Sequence, residues 1–269
     1  MNTLSLSRAW DETRSVLARD GRLFASVALG LVVLPQTIIG LLAPTSAGQA
    51  SALTAGLLAI TIIIGFVAQI ALNRLAIGPS TTVGAAIGRG FGRMPVLLGS
   101  SVILLVGLFI VLIPVVMLLG AIGLVAEPGV GHEAPGSLLF LILLIVALCY
   151  AIFQLTIPVA AAEGGGSIHL MTRSWHLARG HYWRLLVFVL AVFVGLLVVL
   201  LAGQFGLGSM IAVALGPPDA LSVSALAISL VVAVIQAAFT VLFAVMLARI
   251  YVQLAGSANA QPGVPRSGI

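Results

Sequence analysis

Apolar positions along the chain gather into six runs of membrane-spanning length, at about 23–43, 52–73, 96–124, 138–160, 185–214 and 224–248. A helix needs roughly 20 apolar residues to cross ~30 Å of hydrocarbon. The pattern therefore predicts an all-α protein with six transmembrane helices. The third and fifth runs exceed that length, so tilt, a kink at Pro114 or an interfacial extension takes up the excess. Before three of the runs the pattern changes to one-sided amphipathicity. On a helical wheel, residues 167–180 place Ile168, Leu170, Met171, Ser174, Trp175, Leu177 and Ala178 on one half, and His169, Thr172, Arg173, His176 and Arg179 on the other. That is an interfacial helix, its apolar side in the acyl boundary and its cations toward phosphates and water. Ser167 is its expected N-cap and Gly180 its expected left-handed C-cap. Trp175, Tyr182 and Trp183 are aromatics of the headgroup level.

Two plainer versions precede the third and first runs. In residues 81–94, Val83, Ile87 and Phe91 form an apolar stripe opposite Arg89 and Arg93. Gly84, Gly88 and Gly92 make a small-residue side that another helix could approach closely, or else they only loosen a loop. In residues 4–19, Leu6, Trp10, Thr13 and Leu17 lie along one face. The wording also repeats. Thr13, Arg14, Ser15, Leu17, Ala18 and Arg19 echo Thr172, Arg173, Ser174, Leu177, Ala178 and Arg179, and LAIGP from Leu75 echoes LTIP from Leu155. The echoes suggest a threefold repeat of an interfacial helix followed by a membrane hairpin.

Composition strengthens this picture. The chain is 61% hydrophobic and 7% charged, with a mean hydropathy of +1.25, whereas a soluble surface needs roughly a quarter charged residues. One membrane domain over residues 1–255 with a flexible tail over 256–269 is expected. The acids Asp11, Glu12 and Asp20 before a long first run argue against a cleaved signal peptide. Cys149 has no partner, which excludes a disulfide framework and a thiolate metal site.

All twelve cations are Arg, and their positions orient the chain. They lie in the N-terminal segment (Arg8, Arg14, Arg19, Arg22), the second-to-third connection (Arg74, Arg89, Arg93), the fourth-to-fifth connection (Arg173, Arg179, Arg184) and the C-terminal end (Arg249, Arg266). The connections near 44–51, 125–137 and 215–223 have none and hold Glu127, Glu133 and Asp219. Cations near span ends stay cytoplasmic, so both termini are expected in the cytoplasm. The pI near 10.7 follows from this asymmetry and not from nucleic-acid binding, since no nucleic-acid motif joins the scattered Arg.

The stretch 163–184, EGGGSIHLMTRSWHLARGHYWR, holds three of the four His and so invites a catalytic reading. His169 and His176 are about 10 Å apart along a helix, too far to share a zinc ion at ~2 Å per bond, and read as interfacial side chains. His132 and Glu133 lie in a GHEAPG turn without the second His of a zincin motif. Glu163 is expected to pair with Arg173 or Arg179, or to face the N-terminus of the following helix; as a general acid or base it lacks a visible partner. Gly164, Gly165 and Gly166 form either a backbone nest for phosphate or a flexible turn. The spans carry no charge away from their rims, which counts against ion-coupled transport. Their deep polar groups are Gln36, Gln69, Gln154, Gln204 and Gln236, read as glue between helices or as the lining of a cavity marked by breaks at Pro35, Pro114 or residues 203–208.

The spacing P-x4-E-x9-RSW-x3-RG-x2-WR before an apolar run, carried by Pro158, Glu163, Arg173, Ser174, Trp175, Arg179, Gly180, Trp183 and Arg184, resembles the membrane domain found beside glycerophosphoryl diester phosphodiesterases and its stand-alone bacterial relatives. The resemblance implies a multi-span domain of the bacterial cytoplasmic membrane. It does not imply hydrolysis, because that activity belongs to a separate barrel with an acidic metal cluster that this sequence lacks.

The expectation is a non-enzymatic membrane protein without cofactor. Arg89, Arg93, Arg173, Arg179 and Arg184 would contact anionic lipid headgroups, each worth about 1 kcal/mol near a charged surface, or a partner membrane protein, with Trp175 and Trp183 as anchors. Two alternatives stand beside it. One is a carrier or channel for an uncharged or lipid-like solute lined by the span amides. The other is a lipid-modifying enzyme using Glu163 with His169.

Overall fold

A computed structural model describes residues 5–42, 52–78, 81–121, 145–146, 148–151, 153–217 and 221–259. Helix α1 runs over Leu6–Leu42, α2 over Ala52–Ile77, α3 over Val83–Ala121, α4 over Thr156–Ala162, α5 over Ser167–Ala178, α6 over Tyr182–Leu215 and α7 over Val223–Asn259. Five of them are long and apolar enough to cross a membrane. The protein is thus an all-α, multi-pass membrane protein. The expected fourth span, 138–160, lies partly outside the described residues; its end appears in the apolar stretch Leu148–Ala162, of which α4 is the last part. The expected connections carrying Glu127, His132, Glu133 and Asp219, and residues 260–269, also lie outside the described residues, while α7 continues past the expected domain end at 255.

Two of the three amphipathic segments are not separate helices. The 4–19 segment continues into the first span and the 81–94 segment into the third, giving helices of 37 and 39 residues. At 1.5 Å per residue α3 is about 58 Å long, far more than the hydrocarbon needs, which accounts for the excess length of the third run. Gly21 lies within α1 without interrupting it, and Pro95 costs α3 one backbone bond without ending it. Only α5 stands alone, because turns precede and follow it at 163–166 and 179–181. The breaks expected at the prolines are likewise absent. Pro114 sits inside continuous α3, and Pro35 follows a π turn, Leu29–Val33, that keeps α1 running. A second π turn, Gly203–Leu207, lies within α6.

Helix α7 is the hub, in contact with α1, α2, α4, α5 and α6. Its buried Ala233, Ala237, Ala244 and Ala248 recur on one side and let neighbouring helices come near, the usual means of helix packing where lipid offers no hydrophobic drive. Helices α2 and α3 come close at Gly90, where an added Cβ would come 2.8 Å from the Val67 carbonyl. Gly84, Gly88 and Gly92 have open space around them, so the close-packed glycine is on the opposite side of the helix from the stripe singled out in the sequence.

All four Arg-bearing segments meet at one end of the bundle. The Ser5 N–H donates to Gln253 Oε1 at 3.4 Å, Arg249 donates to the Ala76 carbonyl in the last turn of α2, and Tyr251 donates to Glu163 at 2.7 Å. Most of the buried core is at this end too, where Leu155, Val159, Leu170, Leu185, Leu247 and Ile250 are buried together. Toward the opposite end the helices present their side chains outward, as at Ile110, Met117 and Met210.

Candidate functional site

The polar residues at the Arg-bearing end are organised around the turn 163–166. Helix α4 ends where Glu163 turns extended, φ −98° and ψ 164°. Gly165 then takes φ +122°, a backbone conformation that L side chains rarely adopt, with His169 Nδ1 only 2.6 Å from where a Cβ would sit. Gly166, not Ser167, precedes α5 as its N-cap residue, without a side-chain cap. Ser167 instead donates its hydroxyl to the Val96 carbonyl of α3 at 2.8 Å, crossing to a neighbouring helix because that carbonyl is within reach. Gly180 has no positive φ, and α5 closes through Arg179 in right-handed geometry. Both expected caps are therefore corrected.

Four side chains from three helices hold this turn. Glu163 Oε1 accepts from Arg173 Nε at 3.2 Å and from the Tyr251 hydroxyl at 2.7 Å. Arg89 Nη2 donates to the Glu163 carbonyl at 3.3 Å, and Arg93 Nη1 donates to the Gly165 carbonyl at 2.9 Å. The turn is thus tied by cations at its carbonyls. Of the two partners expected for Glu163, Arg173 is the one found, and Tyr251 is an addition from the far end of the sequence. The Glu163 and Arg173 side chains remain 26% and 32% exposed, so the pair borders solvent. No hydrogen bond joins Glu163 to His169 among the described residues, and no group of three His, Cys, Asp or Glu there could hold a metal ion.

Helix α5 has three faces, not two. Leu170, Ser174, Leu177 and Ala178 are buried against the protein. Ile168 (74% exposed) and Trp175 (44%) face outward, and His169, Thr172, His176 and Arg179 are exposed beside them. The apolar half of the wheel is shared between the protein core and the surroundings. Trp183 is 72% exposed, its ring edge-to-face with Tyr182, whose hydroxyl donates to the Leu148 carbonyl. Burial, and then the neighbouring Arg184, push the pKa of His181 below the ordinary imidazole range. Arg184 is exposed.

The sequence-predicted cations thus divide. Arg89, Arg93 and Arg173 bond to the turn, whereas the Arg179 side chain makes no hydrogen bond or ion pair with another described residue. Arg14 and Arg22 of α1 are exposed and equally unpaired among the described residues, while Arg8 and Arg19 pair locally with Glu12 and Asp20. Trp10 and Arg14 on α1 and Trp175 and Arg179 on α5 form the same exposed Trp-x3-Arg pair, one turn apart. Tyr251 and Arg249 were invisible as site residues because they end an apolar run with nothing local to mark them.

The chain belongs to the family described as a domain of unknown function (DUF7847), whose profile matches residues 4–254. No curated protein and no solved structure matches it.

Proposed function

We propose that this family member is a non-enzymatic, six-span protein of the bacterial cytoplasmic membrane that holds anionic lipid headgroups at its Arg-bearing, cytoplasmic end. The observation that carries the reading is the pair of exposed Trp-x3-Arg steps, Trp10 with Arg14 and Trp175 with Arg179. An aromatic ring at headgroup depth with an unpaired guanidinium one turn further on suits an interfacial phosphate. Arg22 and Arg184 extend the cationic surface and Trp183 its aromatic belt. Arg89, Arg93 and Arg173 hold the turn that orients α5, and so act on headgroups through position more than through charge. Six crossings are supported by the two described ends of the chain lying together through Ser5 and Gln253, which requires an even number. The cytoplasmic side is supported by the Arg distribution. The motif over 158–184 supports kinship with the membrane domain found beside glycerophosphoryl diester phosphodiesterases.

The test is lipid retention. The full chain in nanodiscs of mixed phosphatidylglycerol and phosphatidylcholine is released into the gas phase and the co-retained lipids are counted by mass. The protein should retain phosphatidylglycerol in preference, and the combined Arg14→Gln, Arg22→Gln and Arg179→Gln variant should lose that preference, each cation being worth about 1 kcal/mol near an anionic surface. An unchanged preference in the variant overturns the reading.

A further inference from the structure

At the other end of the bundle, α1, α6 and α7 border an open cleft of about 350 Å³, within the ~300–1,000 Å³ range of small-molecule sites. Gln36 of α1, Gln204 of α6, and Gln236 and Ser229 of α7 line it, with Ile39 and Val232 among its apolar walls. The three amides come from helices that each qualify as membrane spans. Gln236 lies roughly 20 Å along α7 from its Val223 end, so the cleft reaches the middle of the bundle.

None of these four polar side chains makes a hydrogen bond to another described residue. In hydrocarbon an amide without a partner costs several kcal/mol, and here three are turned toward one space. The helices are also reshaped around it. The π turn Gly203–Leu207 contains Gln204, and the π turn Leu29–Val33 ends one turn before Gln36; such turns widen a helix and recur at functional sites. Gly40 and Gly203 let α1 and α6 press against α7 at the cleft walls, where added Cβ atoms would meet Ser229 Oγ at 2.5 Å and Ile235 Cδ1 at 2.9 Å. The lining carries no charge, so a phosphate would enter without a counter-cation.

We infer that this cleft binds the uncharged, hydroxyl-bearing headgroup of a membrane glyceride, with its acyl chain lying along the apolar walls. Amides both donate and accept, as a glycerol headgroup with free hydroxyls and an ester carbonyl requires. The cleft is not enclosed, and its volume fits a headgroup, so the chain of the lipid stays in the bilayer. This site is independent of the headgroup contacts proposed for the Arg-bearing end.

The test uses the full chain in phosphatidylcholine nanodiscs with a monooleoylglycerol probe carrying a diazirine near its headgroup, followed by peptide mapping of the crosslinks. Crosslinks should fall on peptides containing Gln36, Gln204 and 225–236. Excess unlabelled monooleoylglycerol should compete, whereas methyl oleate and free glycerol should not. The combined Gln36→Leu, Gln204→Leu and Gln236→Leu variant should lower crosslinking by about tenfold, the scale of one or two lost hydrogen bonds. Should that variant fail to fold, exposed Gln204→Leu alone should still lower it by about threefold. Crosslinks spread over the outward face of α3, undiminished labelling of Gln204→Leu, or competition by glycerol as strong as by monooleoylglycerol would each overturn the assignment.

Discussion

The two ends of the bundle differ in their polar contacts, although the Arg-bearing end also buries Arg89 Nε, Arg249 Nε and Gln253 Nε2 without a partner among the described residues. At the Arg-bearing end Glu163 takes two donors, Arg89 and Arg93 each reach a turn carbonyl, and Ser167 bonds across to Val96. In the cleft between α1, α6 and α7, four polar side chains share one space without a bond among them. Polar groups tied to one another across helices fix a geometry, and removing one partner leaves the other unsatisfied. Polar groups turned toward a space are already unsatisfied, so removing one costs the fold little and costs a ligand its contact. The network around Glu163 ties three helices together, whereas the polar side chains of the cleft are not committed to one another.

Four substitutions, followed by thermal unfolding of the protein in detergent micelles, can break or sharpen that contrast. The largest loss is expected for Gly90→Val. A side chain there is driven into the Val67 carbonyl, and overpacking of this kind costs about 3 kcal/mol; a small effect would mean that the α2–α3 contact is looser than the structure shows. Next comes Glu163→Leu, which strands Arg173 and Tyr251 and should cost about 2 kcal/mol, less if water reaches the half-exposed guanidinium. Tyr251→Phe removes one donor while leaving Glu163 its bond to Arg173, for a loss near 1 kcal/mol. Last, Gln236→Leu should be neutral or slightly stabilising, since it removes an unpartnered amide from a membrane span. If Gln236→Leu destabilised as much as Glu163→Leu, the contrast between the two regions would fail.

Much of the Arg-bearing end was legible in the sequence, but not its bonding. Periodicity places an interfacial helix at 167–180, where α5 spans Ser167–Ala178, and Arg173 is one of the two cations expected beside Glu163. The caps were not legible, because Ser167 found a carbonyl on α3 that no local pattern marks. Tyr251 lies 88 residues beyond the carboxylate it binds, so only the packing of α7 could bring the two together. The Gly84, Gly88 and Gly92 stripe misled for a related reason. Spacing shows that three glycines share a side of a helix, but whether a neighbour lies on that side is a tertiary matter, and α2 packs against Gly90 instead. The five span amides stand out in the sequence as glue between helices or cavity lining, yet none bonds across to another helix among the described residues; Gln154 donates within its own segment, to Ala151.

By itself the sequence determined that the chain is helical, that it lives in a membrane, and that its Arg belong together at one end. Those properties come from the transfer of individual side chains between water and hydrocarbon, which adds up along a run whatever its neighbours do. Helix packing alone decided which Arg are tied to the turn at 163–166 and which glutamines surround an open cleft. A hydrogen bond needs its two heavy atoms within about 3.5 Å, and such distances are set by helix packing, where a small rotation of one helix changes which groups meet.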